Sequence, residues 1–203
     1  MGAPDTHRQE TVRRFKRELI RDAAKQVFAA TGIEGASMRE IARTAGYTTG
    51  AIYTYFASKE ELYAEVLRDS LDALLAEVRG AADAVTEHRA AAALRALWAF
   101  YDSRRADFEL GFYLYGGARP AGLTRELDRD LNARLDRVVD VIGAGMVADG
   151  VAPPERAHRA AVGQATWVFG LLLMSTTGRI RSLGEDAEQQ LTDHLDTLTK
   201  GST

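Results

Sequence analysis

The chain has 203 residues, 46% of them hydrophobic, and a formal net charge of −3. That is enough for one large domain or two small ones with a substantial core, and too acidic for a nonspecific polycation. The absence of cysteine excludes disulfide frameworks, thiolate metal sites and cysteine nucleophiles, and suits a reducing cytoplasm.

The start, MGAPDTHRQETVRRF, is polar and lacks the apolar run of a signal peptide. Residues 1–57 hold nine Lys/Arg against six Asp/Glu, and the remainder seventeen against twenty-three. A mildly basic N-terminal part on an acidic body fits a nucleic-acid reader joined to something else. The first ten or so residues are expected to be disordered, and the arm before Phe15 supplies Arg8, Arg13 and Arg14 as candidates to follow a nucleic-acid groove.

Phe15, Leu19, Ala23 and Val27 recur every four residues, which predicts an amphipathic helix over 12–30, ended by Thr31-Gly32. Ser37 followed by Glu40 is a capping box, so a helix starts at Met38. Gly46 stops it by taking a left-handed backbone position, and Thr48 caps the next helix. Ser58 with Glu61 is a second capping box and opens a helix to about Val78. No Pro, Gly or Ser cluster separates these helices from the rest of the chain, so a rigid helix joins the two parts. Further helices are predicted near 87–105, 107–116, 121–148, 154–181 and 185–199. Gly116-Gly117 with Pro120, and Pro153-Pro154, mark breaks. No stretch alternates with period two. The expected fold class is all-α, with residues 1–57 as a helix-turn-helix domain and 58–203 as an antiparallel helical body.

Residues 37–62, SMREIARTAGYTTGAIYTYFASKEEL, have the layout of a helix-turn-helix, which presents its second helix to the major groove. With Ile52 and Phe56 buried one turn apart, Gly50 and Thr54 point outward, with Ala51 and Tyr53 at the flanks. Thr48 and Thr49 lie at the end that meets base edges. Threonine hydroxyls bond several bases, and Thr or Ala methyls touch the thymine methyl. Candidate phosphate contacts are Ser37, Arg39, Arg43, Tyr53, Tyr55 and Lys59. Three helices with a Gly turn also occur in proteins that bind no DNA, and residues 44–58 carry no charge; a helical scaffold protein is the alternative.

The segment FAATGIEGASMREIARTAGYTTGAIYTYFASKEELYAEVL resembles the N-terminal DNA-binding region of the TetR family of bacterial regulators. Phe28 and Gly32, Ser37 to Ala42, Ala45-Gly46, Gly50, Ile52-Tyr53, Phe56, Lys59-Glu60 and Leu62 carry the likeness. It implies a homodimer that binds a palindromic double-stranded operator, and a C-terminal ligand-binding and dimerisation domain. In most of the family the outcome is repression; activation is the other. Where the family often has Lys, this chain has Thr49, which removes one basic contact; Tyr47 and Tyr55 also depart from its usual residues.

In the body, Phe108, Phe112 and Tyr115 fall at i, i+4 and i+7, Trp98 and Tyr101 on the preceding helix, and Trp167, Leu171 and Met174 on a later one. They are candidates to line a cavity for a small apolar or amphipathic effector, with Asn132 and Gln164 orienting it; plain core is the competing role for each. His158 is expected to face solvent. Gly143 and Gly145 sit in a helical pattern with no preceding strand and point to close helix packing. The helix 154–181 is apolar on nearly every side from Ala160 to Met174. With the stripe of Leu191, Leu195 and Leu198, it nominates Leu172 and those three for the dimer interface. That apolar stretch includes Gln164 and is too short for an easy membrane span. His7, His88, His158 and His194 lack metal-ligand spacing, and no Ser elbow, phosphate loop or HExxH motif is present. No enzyme, cofactor, metal or membrane partner is expected, and a cytoplasmic location is.

Overall fold

A computed structural model describes residues 3–112 and 123–200. Among them every regular element is helical: α1 (Ala3–Gly35), α2 (Met38–Ala45), α3 (Thr49–Tyr53), α4 (Lys59–Asp83), α5 (Arg89–Ser103), α6 (Arg105–Gly111), α7 (Arg125–Ala148), α8 (Pro154–Thr176), α9 (Arg179–Ser182) and α10 (Ala187–Lys200). No described helix is long and apolar enough to cross a membrane.

The chain forms two compact units, residues 1–69 with 106–131, and residues 70–105 with 132–203. Helix α4 is thus shared, its first part belonging to one unit and its second to the other. The division differs from a boundary at residue 57, because α6 and the start of α7 pack with the helix-turn-helix. Tyr63 Oη donates to the Leu110 carbonyl at 2.5 Å. Lys25 Nζ meets the buried Asp107 carboxylate at 2.6 Å. Arg68 pairs with Asp130. None of these partners is near the other in sequence, so no local pattern announces them.

The first unit is built on Ile20, Ala24, Phe28, Ile41, Ile52, Phe56 and Leu62, all buried. The edge of Phe28 meets the ring of Tyr63 at 5.0 Å, a favoured aromatic geometry. The serine half of each predicted capping box forms: Ser37 Oγ accepts from the Glu40 N–H and Ser58 Oγ from the Glu61 N–H, while the Glu61 carboxylate accepts from the Ala57 N–H, one residue before the cap. Gly46 ends α2 at φ 74°. Residues 3–11, expected as a flexible arm, continue α1 as helix; Pro4 sits in its first turn, where a missing N–H costs nothing. Gly32 leaves helical geometry at φ 67°, where α1 was expected to end.

In the second unit α5 packs on α8 and α10 over Leu94, Leu97, Val168, Leu172, Leu191 and Leu195. The predicted helix 154–181 is two, α8 and α9, because Gly178 takes a left-handed φ of 72°. Leu172, Leu191 and Leu195 are buried within this unit; the stripe nominated for a dimer interface is spent on the chain's own core, and of the four only Leu198 is partly exposed. Gly145 brings α7 against the start of α5: a Cβ there would lie 2.7 Å from the Ala90 nitrogen. That approach lets the Asp149 carboxylate accept from the Arg89 and Ala90 N–H groups, capping a helix whose own N-cap, His88, makes no side-chain bond.

Candidate nucleic-acid interface

Helix α3 is short, and its ends are fixed by side chains. Thr48 Oγ1 accepts from the Ala51 N–H, and Thr54 Oγ1 donates to the Ala51 carbonyl at 2.7 Å. Ile52 and Phe56 are buried, as the 100° geometry requires. Gly50, Tyr53 and Thr54 are exposed, Tyr53 by 53%; Thr49, Ala51 and Tyr55 are half-buried. The outward face is small, hydroxylic and aromatic, with no charge of its own. Nothing lies within 4 Å of where a Gly50 Cβ would stand, so an approaching surface meets bare backbone.

The cations around this face divide into two groups. Arg39 and Arg43 are exposed and, with Ser37, Tyr47, Thr48 and Thr49, border a concave strip of about 670 Å³ between α2 and α3. Lys59, nominated for phosphate, is instead turned inward: its ammonium donates to the carbonyls of Ile33, Ala36 and Glu34 at 2.9, 3.3 and 3.5 Å, closing the end of α1. Arg17 also works internally. It donates to the Tyr55 carbonyl at 3.1 Å, pairs with Glu65 at 3.2 Å and lies 4.3 Å over the Phe56 ring. Burial pushes the Glu65 carboxyl up, and the hydrogen bonds and charges of Arg17 and Arg68 outweigh it, so its pKa sits below the ordinary glutamate value. The sequence pattern nominated Lys59 for phosphate; only the fold reveals that carbonyls already occupy its ammonium.

The residues nominated for an effector are distributed between the units. Phe108 and Phe112 belong to the first, with rings 4.9 Å apart. Tyr115 lies outside the described residues. In the second, Trp98 Nε1 donates to Glu188 at 3.0 Å, and Tyr101 packs near Phe169. Trp167 stacks flat on His194 at 3.7 Å, and His194 Nε2 bonds the Gln164 amide oxygen at 2.7 Å. Burial holds His194 below the usual histidine value. Leu171 is buried, Met174 half-buried and Asn132 exposed. A groove of about 380 Å³ in this unit has other walls: Ala96, Ala99 and Phe100 beneath Glu77, Ser103 and Arg104, with the Arg104 guanidinium 4.3 Å over the Phe100 ring. The only His–carboxylate grouping of metal-ligand size among the described residues is Asp136, Asp140 and His158, all exposed. His158 Nδ1 stands 3.7 and 4.0 Å from carboxylate oxygens of Asp140 and Asp136, a surface ion-pair arrangement when the imidazole is protonated. Its members come from two helices, so sequence spacing alone did not join them.

Residues 20–66 match a family model described as bacterial regulatory proteins, tetR family. Among curated proteins, the chain is 42% identical over 84 residues to the HTH-type transcriptional repressor KstR2 of Mycolicibacterium smegmatis, covering 41% of this chain and 40% of that protein. It is 37% identical over 92 residues to the HTH-type transcriptional activator FasR of the same organism, covering 44% and 42%. The matched region thus spans about two fifths of the length of these relatives. The solved structure of regulatory protein SCO4313 aligns over 93% of this chain and 97% of its own with a TM-score of 0.79 at 21% identity. A tetR-family regulatory protein from Rhodococcus RHA1 aligns over 91% and 95% with a TM-score of 0.67 at 20% identity. The helical fold is shared over nearly the whole chain, whereas the family model matches residues 20–66 alone and the curated relatives match about two fifths of the chain.

Proposed function

We propose, from the premise that this chain carries a TetR-family helix-turn-helix over residues 20–66, that the whole protein is a transcriptional repressor. It binds a palindromic operator as a homodimer and is released by a small apolar or amphipathic effector. The observation that carries this is the face of Gly50, Tyr53 and Thr54: exposed, uncharged, and anchored from behind by Ile52, Phe56 and Arg17. Such a surface gains little from nonspecific attraction and much from fitting particular base edges and thymine methyls.

Dimerisation is assigned to the outward side of α8. Val162 and Leu173 are 43% and 39% exposed, and Gly163 and Gly170 between them have nothing within 4 Å of a would-be Cβ. A second copy of α8 can pack closely against this stripe, and a two-fold pair sets two reading heads about 34–36 Å apart or a multiple of it. For the effector, the groove floored by Ala96, Ala99 and Phe100 and rimmed by Arg104 offers an apolar wall with a cationic end. Binding there, at residues that belong to the unit holding the second part of α4, shifts α4 and with it the reading heads. A coupling of ~1–3 kcal/mol lowers operator affinity about 5- to 150-fold, provided the effector prefers the released state. The named relatives include both a repressor and an activator, so transcription in vitro from a promoter overlapping the operator decides the sign.

Selection of bound duplexes from a random pool tests the proposal. Enrichment of an inverted repeat, bound by a species of twice the chain mass in sedimentation, is the expected result. Recovery of unrelated sequences at equal affinity rejects it.

A further inference from the structure

The basic residues of α1 fall into two sets. Arg17, Arg21 and Lys25, four apart, are all committed inside the first unit, to Glu65, Asp69 and Asp107. Arg8, Arg13, Arg14 and Lys16 make no ion pair among the described residues, and all of these but Arg14 line one groove. Arg8, Val12 and Lys16 follow at i, i+4 and i+8, with Gln9 and Arg13 on the adjoining row. Together with Thr54 and Tyr55 they line a groove of about 530 Å³ with no carboxylate among its described lining residues.

The groove adjoins the reading helix, since Thr54 caps the C-terminal end of α3. It is also held in place: Arg17, one residue beyond Lys16, ties α1 to the Tyr55 carbonyl and to the Phe56 ring. Because α1 is helical here, the three cations stand on a regular frame. From residue 8 to residue 16 the helix rises about 12 Å, long enough to pass several phosphates at about 3.4 Å of axial rise per strand. Val12, 46% exposed on the groove wall, presents a methyl surface suited to deoxyribose.

We infer that the groove between the N-terminal turns of α1 and the end of α3 is a second DNA-contact surface that seats the sugar–phosphate backbone beside the bases read by α3. It rests on the proposed function, and adds to it a division of labour. The uncharged face of α3 supplies sequence discrimination, and Arg8, Arg13 and Lys16 supply affinity that is indifferent to sequence. The occupant is identified by three cations with no acid among the described lining residues, and by continuity with the reading face.

The test compares the full chain with Arg8→Gln/Arg13→Gln/Lys16→Gln, which keeps helix-forming side chains of similar length. Both are titrated by fluorescence anisotropy against the selected operator and a scrambled duplex of equal length, from 50 to 200 mM salt. Unchanged far-UV circular dichroism and Tm establish that the variant is folded. The expected result is a slope of log affinity against log salt shallower by about 5, because the dimer loses three contacts in each of its two subunits. Each lost contact then accounts for about a 3.5-fold smaller change over that salt range, and the operator-to-scrambled ratio is unaltered. An unchanged slope overturns the inference while the regulator assignment stands. So does a discrimination ratio that falls in step with affinity, which would make these side chains base readers. If the wild-type protein binds neither duplex, the proposed function itself fails.

Discussion

In the first unit, cations are drawn inward to backbone and buried acids. Lys59 holds three carbonyls, Arg17 a carbonyl and Glu65, and Lys25 the buried Asp107. In the second unit, helices distant in sequence are joined mostly by ties between side chains or to a helix start: Trp98 and Arg95 to Glu188, Arg134 to Asp72, Asp149 to the start of α5, Gln164 to His194. The contrast explains how a surface proposed to meet a polyanion can be nearly free of charge at its centre. Arg17 and Lys59 are used to hold the helices behind α3 in place, and the exposed Arg39 and Arg43 beside it remain available to phosphate. The second unit instead relies on apolar packing with local polar pins, so its stability and its sensitivity to conditions differ from those of the first.

The sharpest way to break this comparison is at Leu191. Its burial inside the second unit means that Leu191→Glu leaves an uncompensated buried charge and destabilises that unit by about 3–5 kcal/mol, seen as loss of cooperative melting. Leu173→Glu, on the exposed side of α8, keeps the melting transition of the isolated fold and yields monomers in sedimentation. If Leu191→Glu gives a well-folded monomer, the interface lies on α10 after all.

A smaller effect is expected in the first unit. Lys59→Met strips three carbonyls of their charged donor and lowers stability by about 1.5–3 kcal/mol, measured by chemical denaturation. If Lys59 served phosphate alone, stability would stay at the wild-type value and only the salt slope would change.

The least effect is a pH response, which between pH 7 and 5 is assigned to His194 in the second unit. His194 is held below its unfolded pKa by burial, so the unfolded chain takes the proton first. The stability it contributes is complete above about pH 6.5 and declines as pH falls through the folded-state value. His194→Phe keeps a ring on Trp167 and flattens that decline in Tm between pH 7 and 5. Glu65, with a lowered pKa, acts in the first unit at more acid pH: its contribution is present above about 4.3 and lost as pH falls through its folded-state value. A decline in the His194→Phe variant equal to that of the wild type would place the sensitivity elsewhere.

The helix-turn-helix was legible because its determinants are local. Ser37-Glu40, Gly46, Thr48 and Ser58-Glu61 each act within four residues, so spacing alone located the helices and the buried Ile52 and Phe56. What escaped was set by contacts across the chain. The Leu191–Leu195 stripe has the same periodicity whether it faces a partner or its own core, and only the placement of α5 and α8 decides. The attachment of α6 to the first unit depends on Tyr63 and Leu110, far apart in sequence. The break at Gly178 was hidden because an isolated glycine inside an apolar helix pattern is tolerated as often as it terminates. Trp98 and Trp167 read equally well as cavity walls and as packing; Glu188 and His194 show the partners they have.

Selection of the DNA sequence is assigned above all to the exposed, uncharged face of α3. Its most direct measurement is the operator-to-scrambled affinity ratio of Tyr53→Ala, read beside its Tm and its sedimentation mass. The ratio is expected to fall at least about tenfold, in line with about 1–3 kcal/mol for a base-reading side chain, while Tm and mass stay at wild-type values. A variant that discriminates as well as the wild type would contradict this assignment.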